Sequence, residues 1–121
     1  MAIELLIKAI LTDRGFLVSE PVLSTSYDFI TEWDGVINTI QVKSTQAVSK
    51  PTKVHNGGYY KVEAPTVVGG YSILLAHVAP IKTTFVIPWQ DVDRRWICIH
   101  TDRVSRYEKF KEKWSLLKEA H

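Results

Sequence analysis

The front of the chain carries apolar residues at helical spacing, with Ile3, Leu6, Ile7, Ile10 and Leu11 forming one stripe. Asp13-Arg14-Gly15 stops this helix, and Gly15 suits a left-handed cap. The pattern then turns strand-like. Phe16-Leu17-Val18 reads as a short strand ended by Glu20-Pro21, and Ser24-Thr25-Ser26 as a polar loop. Tyr27 to Trp33 and Val36 to Ser44 read as two strands joined by Asp34-Gly35, a strong two-residue hairpin turn. Residues 45–58 are polar and loop-like. Tyr59 to Ala64 reads as a short strand, and Tyr71 to Val78 as an apolar strand long enough to be central. Thr83 to Ile87 follows, ended by Pro88; Trp89 to Arg94 holds one helical turn, and Arg95 to His100 another short strand. Ser105 with Glu108 is a capping-box signature for a last helix running to about Lys118. This order predicts an α/β fold with a central mixed sheet flanked by helices.

Composition sharpens the picture mainly by exclusion. The 121 residues predict one domain. Hydrophobic residues at 45% and charged residues at 23% exclude a wholly disordered chain. The lone Cys98 cannot form an intrachain disulfide, so nothing points to a cross-linked secreted scaffold. No apolar run is long enough to span a membrane, the start lacks the features of a signal peptide, and a cytoplasmic location follows by default. The net charge of +2 permits a nucleic-acid partner without demanding one. Residues 1–60 carry five Lys/Arg against six Asp/Glu, and residues 61–121 ten against seven, as an acidic site beside a basic surface would.

The hairpin carries the candidate chemistry. Pairing about Asp34-Gly35 places Asp28 across the ladder from Gln41, within side-chain reach. Gln41 and Lys43 are two apart and share a face, while Phe29, Ile40 and Val42 supply the opposite, apolar face. A carboxylate, an amide oxygen and an ammonium therefore converge. Oxygen donors hold Mg²⁺, and a nearby lysine orients a water and offsets developing charge. This is the combination that metal-assisted phosphodiester cleavage requires.

Asp28, twelve intervening residues and Gln41-Val42-Lys43, preceded by a helix carrying Glu4, resemble the PD-(D/E)xK, or restriction-endonuclease-like, nucleases. The resemblance is nearest the branch that includes intron-encoded homing endonucleases, and extends to Holliday junction resolvases of archaeal type. It implies the restriction-endonuclease-like fold, with Asp28 as main metal ligand, Gln41 as a neutral oxygen donor where most of the superfamily has an acid, Val42 lending its carbonyl, Glu4 completing the shell and Lys43 positioning the attacking water. Mg²⁺ would be the cofactor, with Mn²⁺ able to substitute. The implied activity is DNA endonuclease, homing-like or structure-selective, leaving a 5′-phosphate. The alternatives are a junction resolvase, and a DNA-binding protein of the same fold that no longer cuts. The partner would be duplex or branched DNA. Cutting two strands requires a homodimer or a higher even assembly.

Outside this set, Ser26, Ser44 and Thr45 are placed to touch phosphate, and Lys50, Lys53 and His55 to follow a DNA backbone. Arg94 and Arg95, with Arg103 and Arg106, form a basic cluster that suits the same partner. A structural reading competes at each position: a solvated loop for the lysines, an edge-strand gatekeeper for Lys43, a helix-dipole partner for Glu4. Asp28 is least easily explained so, because Asp disfavours strands.

Overall fold

The computed structural model describes residues 3–23, 26–45, 48–49, 59–64, 70–100 and 105–121. The first helix is α1, Ile3–Asp13, with Ile7 and Leu11 fully buried one turn apart. It ends where Gly15 takes φ +93°. The Gly15 N–H then reaches the Thr12 carbonyl and the Phe16 N–H the Leu11 carbonyl, both at 3.1 Å. This Schellman ending satisfies two orphan carbonyls and lays Phe16 into the same apolar cluster as Leu11.

Strand β1 is Leu17–Ser19, β2 Phe29–Trp33 and β3 Val36–Thr45. The β2–β3 hairpin turns on Asp34 (φ +47°) and Gly35 (φ +82°), and both positive values belong to the turn whose twist matches the strands. The expected register holds, with Trp33 opposite Val36 and Phe29 opposite Ile40. Beyond Ile40, β3 pairs in parallel with β6 (Ile73–Val78), which pairs antiparallel with β7 (Thr83–Pro88). The result is a five-stranded mixed sheet in the order β1-β2-β3-β6-β7. β6 is buried along its whole length, as an apolar strand covered on both faces must be.

The two faces have different covers. Phe29, Ile40, Val42, Ile73, Leu75 and Val86 pack with Ile7 and Leu11 of α1. Leu74, Ala76, Phe85 and Ile87 face the other way, against Tyr60, Val62, Ile97 and Ile99. Those last four belong to β5 (Tyr59–Glu63) and β8 (Trp96–His100), which join β4 (Val48–Ser49) in a separate antiparallel sheet, β4-β5-β8. The central mixed sheet is as the pattern predicts, but its second cover is a small sheet rather than a helix. The period-two apolar face shared by β5 and β8 is what fits them for that place.

The predicted C-terminal helix does not form. Two 3₁₀ turns, Glu108–Phe110 and Trp114–Lys118, stand in its place. The expected Ser105–Glu108 capping box does not form: the first turn has Tyr107 at its N-cap with no side-chain cap bond, and Ser105 Oγ accepts the Tyr107 N–H at 3.2 Å instead. The helix breaks at Glu112, which has φ +52° and is drawn to the edge of β7. Its N–H donates to the Thr84 carbonyl at 2.8 Å, and its Oε1 accepts the Thr84 N–H at 3.0 Å. Phe110 thereby enters the core between the sheets, while Trp114 and Leu117 enter the core beneath α1. A continuous helix could not send those side chains to opposite faces of one sheet. Pairing with the open edge of β7 outweighs local propensity.

Candidate active site

Asp28 sits one residue before β2, where that strand stops and β3 continues alone on this side. Its N–H closes the last ladder bond, to the Ile40 carbonyl at 2.7 Å. Its carboxylate then takes the place of further strand. Oδ2 accepts the Val42 backbone N–H at 2.8 Å and the Gln41 Nε2–H at 3.1 Å. The Gln41 Nε2 also lies 3.5 Å from the Val42 carbonyl oxygen. Two donors, one from the main chain, thus fix the acid in a half-buried position.

Lys43 lies on the same side of β3 as Gln41 and is half-buried. Among the described residues no salt bridge joins it to a carboxylate. Val42 points the other way and its side chain is buried beneath α1, so that it reaches the site through its backbone.

Glu4 approaches from the opposite layer. It lies in the first turn of α1, and with Asp28 it lines an open cleft of about 380 Å³ whose other walls are Glu20, Pro21, Leu23, Tyr27 and Phe29. The predicted quartet is therefore assembled in two parts. Asp28, Gln41 and Val42 are hydrogen-bonded together, and Glu4 shares a cleft with Asp28 from across the sheet edge. Gln41 and Lys43 do not line that cleft. Among the described residues no three His, Cys, Asp or Glu side chains stand close enough to hold a metal ion. The donors in this neighbourhood are the carboxylates of Glu4, Glu20 and Asp28, the Gln41 amide oxygen and the Val42 carbonyl. All are oxygen, the chemistry of a hard divalent ion rather than of zinc.

Glu20 is the residue that sequence reasoning misses. It lines the same cleft, and its Oε1 lies 3.4 Å from Lys8 Nζ. The available signal is its place immediately before Pro21, at the end of the strand that pairs with β2. Lys8 is one turn after Glu4 on α1, which puts a cation on the side of the helix that faces Glu20.

The remaining predicted residues are dispersed. Ser26 donates its Oγ to the Gly70 carbonyl at 2.6 Å, tying the segment before Asp28 to the entry of β6. Ser44 is exposed on β3 and Thr45 ends it. Lys50, Lys53 and His55 lie outside the described residues, as does Arg103. Arg94 and Arg106 both pair with Asp93, at 3.3 and 3.0 Å, and Arg95 pairs with Glu63 at 3.2 Å. The basic cluster is exposed but partly neutralised. Trp96 stands 39% exposed beside it, with Lys61 and Arg95 over its ring. No described helix is long and apolar enough to cross a membrane.

No protein-family model matches the chain, and no curated protein matches it either. Among solved structures, the fold has a clear likeness. The chain is similar to I-Ssp6803I, a bacterial homing endonuclease, with a TM-score of 0.75 and 22% sequence identity over 94% of this chain and 84% of that one.

Proposed function

We propose that this protein is a Mg²⁺-dependent DNA endonuclease that hydrolyses phosphodiester bonds at the Asp28–Gln41–Lys43 site, in the manner of the PD-(D/E)xK nucleases. The observation that carries this reading is Asp28. A strand-end carboxylate is held by the Val42 N–H and the Gln41 amide, and on the same side of β3 stands Lys43, which forms no salt bridge among the described residues. Likeness of fold to a bacterial homing endonuclease supports it.

In this reading Asp28, Gln41, the Val42 carbonyl and Glu4 would hold the cation. When bound, the cation polarises the phosphate and stabilises the leaving oxygen. Lys43 orients the attacking water and offsets charge on the phosphorane-like transition state. Ser44 and Thr45, at the exposed end of β3, meet the neighbouring phosphates, and Arg94 and Arg95 extend the contact. One such site cuts one strand, so double-strand cleavage is the work of a homodimer or higher even assembly.

A second reading is favoured by one observation: the neutral Gln41 at the usual acid position gives the site one carboxylate fewer, and the protein would bind DNA without cutting it. Cleavage of supercoiled plasmid and of a synthetic four-way junction, in Mg²⁺ and in EDTA, separates the two. Mg²⁺-dependent cutting by wild type, lost in Asp28→Ala and Lys43→Ala, supports the endonuclease. The preferred substrate then distinguishes a homing-like enzyme from a junction resolvase. Salt-sensitive DNA binding with no cutting under any condition would replace the endonuclease with the non-catalytic reading.

A further inference from the structure

Resting on that nuclease reading, we infer that Gln41 is a positioning residue before it is a ligand. Its amide nitrogen clamps Asp28, and the amide would have to turn its oxygen inward to serve a divalent cation.

The geometry leaves no other bonded arrangement for the Gln41 amide. The Gln41 amide faces two acceptors, Asp28 Oδ2 at 3.1 Å and the Val42 carbonyl oxygen at 3.5 Å. Asp28 Oδ2 already takes the Val42 N–H at 2.8 Å, and that donor is fixed by the backbone of β3. Turning the amide over would set Oε1 against both acceptors with no proton between them. The hydrogen-bond network therefore assigns the nitrogen inward. A cation reverses the requirement, because it attracts the very oxygens that repel one another in its absence.

An amide meets both demands by rotating about one bond. A carboxylate meets only the second. Glutamate at position 41, when ionised, would hold two negative charges about 3 Å apart without metal, a repulsion that a cation or a shared proton relieves. Gln41 thus gives up one negative charge and keeps Asp28 in place without metal. Its role toward Asp28 is separate from its role as a ligand.

The test compares wild type, Gln41→Met and Gln41→Glu in EDTA and in excess Mg²⁺, at mildly alkaline pH. Without cation, Gln41→Met is expected to melt about 4 °C or more below wild type, because a donor to a charged acceptor is gone. Gln41→Glu is expected to melt lower still. Excess Mg²⁺ should raise Gln41→Glu by more degrees than it raises wild type, as tighter binding to the folded form requires. On wild type itself, the Gln41 side-chain NH₂ resonance, assigned by its loss in Gln41→Met, should be protected from exchange in EDTA. It should shift and lose that protection on titration with Mg²⁺.

A Gln41→Glu protein as stable as wild type in EDTA overturns the clamp, and so does a freely exchanging Gln41 NH₂. The wild-type NMR arm decides this even where a variant fails to fold. A Gln41 signal that Mg²⁺ leaves unchanged overturns the turn of the amide, even if plasmid cleavage shows the nuclease reading to be right. The EDTA arms do not depend on cutting, so the clamp and the nuclease reading fail separately.

Discussion

The Asp28 carboxylate accepts the Val42 backbone N–H at 2.8 Å, so the acid of the candidate site is also the cap of a strand that has lost its neighbour. Structure and chemistry share one oxygen, and substitutions can separate them. Asp28→Asn keeps an oxygen for the Val42 N–H and removes the charge. It is expected to fold with near wild-type stability and to lose cation affinity and cleavage. Asp28→Ala leaves two half-buried donors unpaired and is expected to lose about 1–3 kcal/mol as well. Urea unfolding beside plasmid cleavage reads both quantities. Equal stability of the two variants would contradict the capping role.

Lys43 offers the converse case. It carries no salt bridge among the described residues, so Lys43→Ala is expected to change stability by less than about 0.5 kcal/mol while reducing cleavage by about 10²–10³-fold. DNA affinity in Ca²⁺ should fall little. A large loss of stability with cleavage intact would return Lys43 to an ordinary strand lysine.

What the sequence shows of this site, and what it hides, follows from how local each feature is. The juxtaposition of Asp28 and Gln41 is legible because Asp34-Gly35 fixes the turn and the turn fixes the register. The apolar face of β3 is legible by its period of two. Glu20 is not, because its approach to Glu4 and Asp28 depends on where β1 docks beside β2. The C-terminal tail is not, because Glu112 answers to Thr84, distant in sequence, and not to its own neighbours. The orientation of the Gln41 amide is set by the two acceptors it meets in space, which composition and periodicity do not report.

The turn itself is testable. Gly35 has φ +82°, and a Cβ there meets nothing within 4 Å, so the demand on this position is conformational and not steric. Gly35→Val is expected to cost about 1–2 kcal/mol through backbone strain alone. Because the same turn sets the register that faces Asp28 with Gln41, the variant should also cut more slowly at temperatures where it is fully folded. Thermal unfolding and cleavage below the transition give the two readings. Unchanged stability would show that the hairpin tolerates another turn.

His77 supplies a pH dependence. It is buried on β6 with its Nδ1 2.9 Å from the Thr84 hydroxyl. Burial lowers its pKa below the ordinary 6.5, and the charge of Glu112 offsets this only in part. Above 6.5 the ring is neutral in both folded and unfolded chains and contributes no slope. As pH falls below 6.5 the unfolded chain takes up the proton first, so stability declines until pH passes the native pKa. His77→Gln should lack that component, and the stability gap between wild type and variant should narrow from pH 7.5 to pH 5. A gap that stays constant across this range in urea unfolding would contradict the assignment.

Asp93 stands between two arginines and decides how much of the basic cluster reaches a DNA backbone. It pairs with Arg94 at 3.3 Å and Arg106 at 3.0 Å, and all three side chains are about half exposed. Exposed pairs of this kind contribute little to stability, so Asp93→Asn is expected to leave the unfolding curve nearly unchanged. It releases two guanidinium groups beside the Arg95 and Trp96 surface. If that surface meets DNA, each released arginine that neutralises a phosphate steepens the slope of log affinity against log salt by about 0.9. The expected result is tighter binding at low salt and a slope steeper by one to two such increments, measured by fluorescence anisotropy on a short duplex in EDTA. An affinity and slope identical to wild type would place the DNA elsewhere, and would leave Arg94 and Arg106 as partners of Asp93 alone.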